Sequence, residues 1–194
     1  MPTQWTPSAR ELDDLELILT GALDETLTLR LPLGGAGSAD DPDLLELTDP
    51  EGVPLAELAI DHRDGDLVHG SVTGLAHPQF GAFRRYHLSP ARVRAQHAGT
   101  PTFAVAVSAP LTTDAVDTIN AASQSEQATP LLLVLVGTGS PEGVSAPALV
   151  RATLAAAEDI KGAEVVTVPV ARRDSEQETA ELRDRVALAF SDEV

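Results

Sequence analysis

Few residues in this chain have types and spacing that could do chemistry, and most of them cluster. Gly137-Thr138-Gly139 closes an apolar run and could offer backbone N–H groups to a phosphate; a plain strand-to-helix turn is the competing reading. Arg84, Arg85, Arg92 and Arg94 lie within one short segment with Phe80, Phe83, Tyr86 and His87. An arginine pair of this kind could hold an oxyanion, or the segment could be packing in which aromatics join a core and arginines answer acidic neighbours. Five histidines, His62, His69, His77, His87 and His97, include no pair on one helical turn and have no cysteine to assist them. They read as turn and packing residues rather than a zinc site. Asp13, Asp14 and Glu16 stand at a helix start, where carboxylates suit the helix dipole without any catalytic role. Gly34-Gly35-Ala36-Gly37 follows a strand but opens no helix, so it reads as a loop.

The elements that must position these groups are legible from periodicity. Leu131 to Val136 is an uninterrupted apolar run ending in glycine, the pattern of a strand buried on both faces. Similar runs lie at Phe103 to Val107 and Glu164 to Val170, with a helical pattern in each interval. Parallel strands need such long crossovers, so residues 101 to about 190 are predicted to form a three-layer α/β sheet. Ligands in open α/β sheets sit beyond the carboxyl ends of the strands, here Ser108-Ala109-Pro110, Gly137 to Ser140 and Ala171-Arg172-Arg173. Helices are expected after Thr112 or Thr113, from Ser145-Ala146-Pro147, and over Ser175 to Phe190.

The first hundred residues read differently. A helix over Ser8 to Leu23 is announced by Ser8 and Glu11 at capping-box spacing, with Leu12, Leu15, Ile18 and Leu19 at helical period. Thr26 to Leu33 alternates with period two, and GGAGSADDP follows as a flexible loop. Asp49-Pro50-Glu51-Gly52 and Arg63-Asp64-Gly65-Asp66 are turn sequences between strand-like runs. A small antiparallel sheet or barrel results, and Ser89-Pro90 starts a short helix leading out of it. The expected division is residues 1–98 as a β domain and 99–194 as a Rossmann-like domain, with the boundary at Gln96 to Pro101.

Bulk properties narrow the function classes. The chain has no cysteine, 30 acidic against 13 basic residues and a net charge of −17. That excludes disulfides and thiolate metal sites, and makes nucleic acid an unfavourable partner. The acids are spread over both halves, as a solvated surface would have them. Mean hydropathy is close to zero. No apolar run is long enough to span a bilayer, and MPTQWTPSAR has no export-signal character, so a cytoplasmic protein is expected.

The order of these pieces resembles ATP sulfurylase, the sulfate adenylyltransferase family, in the truncated, degenerate form found ahead of some bacterial adenylylsulfate kinases. LELILTGAL, LLELTDPEGVPLAELAI and VHGSVTGLAHP, with His77-Pro78, are similar to its N-terminal PUA-like β domain. LVLVGTGSPEGVSAPALVR is similar to a strand, glycine turn and following helix of its nucleotidyltransferase domain, with Gly137 and Arg151 in matching places, and VVTVPVARR is similar to the strand leading into its arginine-bearing active-site loop. The resemblance implies a PUA-like β domain before a Rossmann-like, nucleotidyltransferase-type sheet. It also implies nucleotide contacts at Gly137, Thr138, Gly139, Arg151 and Arg172, with Arg173 the alternative to Arg172. ATP or adenylyl sulfate would be the ligand, with no resident cofactor or metal, and a second copy or a sulfur-metabolism enzyme the partner.

The departures fall on the chemistry. Where the family carries Gln-x-Arg-Asn-Pro and paired histidines, this chain reads Ala106-Val107-Ser108-Ala109-Pro110-Leu111-Thr112. Its Gly-Pro-Arg-Glu-Ala segment is replaced by Asp174-Ser175-Glu176-Gln177-Glu178. Loss of one donor aimed at developing charge costs roughly 10²–10³ in rate. The expectation is a catalytically silent sulfate adenylyltransferase-like protein acting as a nucleotide-binding or regulatory module. The alternatives are a ligand-free interaction protein, or an enzyme of altered chemistry using Ser108, Thr112 and Arg172. No GxxxxGK[ST] occurs, so kinase chemistry is not encoded.

Overall fold

A computed structural model describes residues 3–31, 43–75, 83–141 and 143–191. The glycine-rich loop at 34–37, His77-Pro78 and Phe80 lie outside the described residues. Two sheets form. The first has order β1-β3-β4-β5-β2, from β1 (Thr3–Trp5), β2 (Leu27–Arg30), β3 (Leu44–Thr48), β4 (Pro54–Asp64) and β5 (Leu67–Gly74). The second is β6 (Thr102–Val107), β7 (Thr129–Leu135) and β8 (Glu164–Val168), parallel throughout, with β7 central.

The turns of the first sheet follow their residues. Gly52 takes φ +82 and donates its N–H to the Asp49 carbonyl at 2.9 Å, closing the β3–β4 hairpin. Gly65, at φ +61, turns β4 into β5, where Asp64 faces Leu67. The strand β1 pairs parallel with β3 and has no periodicity to announce it, being three residues long.

Central β7 alternates between two cores. Leu131, Leu133 and Leu135 face one side with Val166, Val168, Leu182, Val186 and Phe190. Leu132 and Val134 face the other with Ile119, Leu149 and Val150. The helices α3 (Thr113–Glu126) and α4 (Ala146–Ala157) therefore cover one face, and α5 (Glu176–Phe190) covers the other. Thr112, Ser145 and Ser175 each cap their helix by accepting from a backbone N–H three residues on.

The helix that decides the architecture is α1 (Ala9–Leu19), capped by the Ser8/Glu11 box. Leu15 and Leu17 lie two residues apart, some 200° around the helix, so they point to opposite sides. Leu15 is 1% exposed in the core of the first sheet, whereas Leu17 is fully buried in the core of the second. The helix α2 (Pro90–Gln96) adds Val93 and the preceding Leu88 to that second core.

The expected PUA-like β domain standing ahead of a Rossmann-like, nucleotidyltransferase-type sheet is corrected by this packing. The first-half helices form part of the layer covering β6–β8, so the described residues do not form a separate PUA-like β domain. The chain is a small α/β unit with an additional five-stranded sheet sharing α1.

Candidate functional site

The loops at the carboxyl ends of β7 and β8 meet beside the start of α1. Gly137 is required there by proximity: a Cβ would lie 2.4 Å from the Val170 carbonyl carbon and 2.5 Å from the Ala171 nitrogen. The turn is stitched to the exit of β8, with Val136 N–H donating to Val168 at 3.0 Å and Arg172 N–H donating to Thr138 at 2.9 Å. Gly139 follows at φ +75, and a Cβ on it would lie 3.2 Å from the Cβ of Arg172.

The N–H that an incoming phosphate would need is occupied. Thr138 N–H donates to the Asp13 carboxylate at 2.6 Å. Burial pushes the Asp13 carboxyl above its ordinary 3.8, more strongly than the Thr138 hydroxyl and N–H pull it down; Glu16 and Asp14 push it further up. An internal carboxylate thus sits where the turn could receive an anion, and a phosphate using this turn must displace it.

The neighbouring acids are similarly engaged. Asp14 accepts two hydrogen bonds from the Arg173 guanidinium, at 2.9 and 2.6 Å. Arg10 pairs with Asp174 at 2.9 Å, and Glu16 pairs with His87. The acidic start of α1 therefore clamps the two sheets together. The dipole reading of Asp13, Asp14 and Glu16 missed this role, because their partners lie more than 70 residues away in sequence.

Of the five residues expected to contact a nucleotide, Gly137, Thr138, Gly139 and Arg172 come together. The guanidinium of Arg172 approaches Glu176 at 3.9 Å. Arg151 is turned elsewhere, its guanidinium 5.6 Å from the centre of the Phe83 ring. Thr112, one of the residues of the altered-chemistry alternative, is occupied in capping α3.

The basic segment divides. Arg94 donates to the carbonyls of Leu188 and Ala189, satisfying the end of α5. Arg85 lies over the Tyr86 ring at 4.6 Å and also donates to its hydroxyl. His97 pairs with Glu164, and His62 stacks on His69 at 6.0 Å. Among the described residues no group of three or more histidines and carboxylates could hold a metal ion, and no helix is long and apolar enough to cross a membrane.

No family model matches the chain, and neither does any curated protein. A solved structure of a hexameric APS kinase from Thiobacillus denitrificans is similar, with a TM-score of 0.79 and 22% identity. The similarity covers 98% of this chain and 46% of that one, so this chain spans about half the length of the protein that it matches. Similarity at this identity establishes a shared fold.

The expected membership of the ATP sulfurylase family is corrected by these findings. So is the sulfate adenylyltransferase-like function built on it, together with the two alternatives weighed beside it. The solved neighbour is an APS kinase, and its backbone accompanies both sheets together. Of the segments that suggested the sulfurylase, LVLVGTGSPEGVSAPALVR carries part of β7, the Gly137 turn and the start of α4, and VVTVPVARR carries β8 and its exit; Gly137 and the apolar residues of both serve packing. Such units recur wherever a parallel sheet is built.

Proposed function

We propose that this chain serves sulfate activation as the non-phosphorylating half of an APS-kinase-type assembly. The supporting observation is an asymmetry: nearly all of this chain is accompanied by less than half of a hexameric APS kinase. A phosphoryl-transfer site needs a phosphate cradle and a cation on the transferring group. The whole sequence contains no GxxxxGK[ST], and its single lysine, Lys161, follows α4 outside any such motif. Phosphoryl transfer therefore falls to the remainder of such a system, whether on the same polypeptide or another.

In this reading the chain contributes self-association and a nucleotide-responsive surface to the kinase. The purified chain is expected to leave APS unphosphorylated with ATP and to scatter light as an assembly of several copies. Turnover by the chain alone, or a monomer at concentrations well above those in the kinase assay, would overturn it.

A further inference from the structure

We propose that the groove between Arg85–Gln96 and the end of α4 is a binding site for a small anionic ester of nucleotide size, a phosphate or sulfate carried on a planar ring with hydroxyl groups. The groove has a volume of about 590 Å³ and lies at the opposite end of the sheet from the Gly137 turn, where β8 begins. That volume falls within the usual range for small-ligand sites, roughly 300–1,000 Å³.

The distribution of arginines that lack a carboxylate partner among the described residues supports this assignment. In a chain of net charge −17, arginines have a surplus of carboxylates to pair with. Arg10, Arg30, Arg173, Arg183 and Arg185 do so. Arg92, exposed on α2, has no carboxylate partner among the described residues, and neither has Arg85, whose partner is Tyr86. Both line this groove. The contact with Tyr86 holds the Arg85 guanidinium in place, reducing the entropy lost when it meets an anion.

The opposite wall carries different chemistry. Leu154 and Ala157 provide an apolar bed for a ring, and Glu158 offers an acceptor for hydroxyl or amino groups. Glu164, also in the wall, is already paired with His97. A ligand bridging the groove needs an anion at one end and hydrogen-bond donors at the other, which a nucleoside monophosphate supplies. The same acidic wall, in a strongly acidic protein, repels polyanions such as RNA.

The site does not depend on the proposed place in an APS kinase assembly, because binding is read on the chain alone. Calorimetric titration with adenosine 5′-monophosphate, inorganic phosphate and inorganic sulfate tests it on the wild type, Arg85→Ala, Arg92→Ala and Arg30→Ala. Arg30 is a solvent-exposed arginine of the first sheet, so its variant controls for net charge. The monophosphate is expected to bind at least tenfold more tightly than either inorganic ion, to lose tenfold or more in each groove variant, and to be unchanged in Arg30→Ala. Thermal melts confirm that each variant is folded. Absence of binding, equal losses in all three variants, or inorganic ions binding as tightly as the ester would overturn the proposal.

Discussion

At the scale of single residues, two side chains at the Gly137 turn carry opposite lessons. Gly137 has no room for even one carbon, so Gly137→Ala must push apart the backbones leaving β7 and β8. A loss of about 3 kcal/mol in chemical denaturation is expected; a loss within error would mean that the backbone contact is dispensable. Asp13 is a charge held where burial disfavours it. Its folded pKa lies above 3.8, so between these two values the native state binds more protons than the unfolded one and stability falls as pH rises. Asp13→Asn keeps an oxygen toward Thr138 and removes the charge. The variant is expected to be more stable than wild type at neutral pH, with the gap closing as pH falls through the folded pKa toward 3.8. Denaturation midpoints across that range check this, and a gap independent of pH would contradict it. Legibility at this scale was uneven. The glycine announced itself by following six apolar residues, whereas Asp13 looked like an ordinary acid at a helix start.

At the scale of elements, caps and periods were plain in the sequence because they are local. Ser8 with Glu11, Ser89 with Pro90, Thr112, and Ser145 all cap where their spacing placed them. Ser175 forms a second capping box with Glu178, and Ser175→Ala is expected to cost about 1 kcal/mol, read in the same denaturation experiment. The partners of α1 were not legible. Its apolar stripe of Leu12, Leu15, Ile18 and Leu19 packs against the first core, but Leu17, off that stripe, is fully buried in the second, where Ile18 also makes contact. Asp14 with Arg173 fastens the same helix from its polar side, both side chains being largely buried at 22% and 14% exposure. Asp14→Ala leaves that guanidinium without its carboxylate and is expected to cost about 2 kcal/mol. Arg173→Ala should cost a similar amount, and the double variant less than the sum of the two. Full additivity would mean that the pair contributes no coupling.

At the scale of the molecule, the two sheets share α1 and should unfold together. Trp5, the sole tryptophan, packs against the core of the first sheet, while the longest helices lie on the second. Tryptophan fluorescence and far-ultraviolet circular dichroism are therefore expected to give coincident denaturation curves. Two separated transitions would show that the first sheet is an independent body after all. The expected PUA-like β domain failed at this scale because strand and turn patterns report which segments form a sheet, not what covers it. The sulfurylase resemblance failed for a related reason: its matched segments were scaffold pieces, and the catalytic segments that would have made it specific were the ones missing.

By itself the sequence determined the caps, the turns, the buried parallel strands and the absence of a phosphate-binding kinase motif. Each is set by interactions within a few residues or by composition. Only the tertiary structure decided that α1 serves two cores, that Asp13 fills the Gly137 turn, and that arginines with no carboxylate partner among the described residues gather beside the end of α4. These facts depend on groups distant in the chain being brought within a few ångströms, and no local pattern encodes which distant partner a buried leucine or carboxylate will meet.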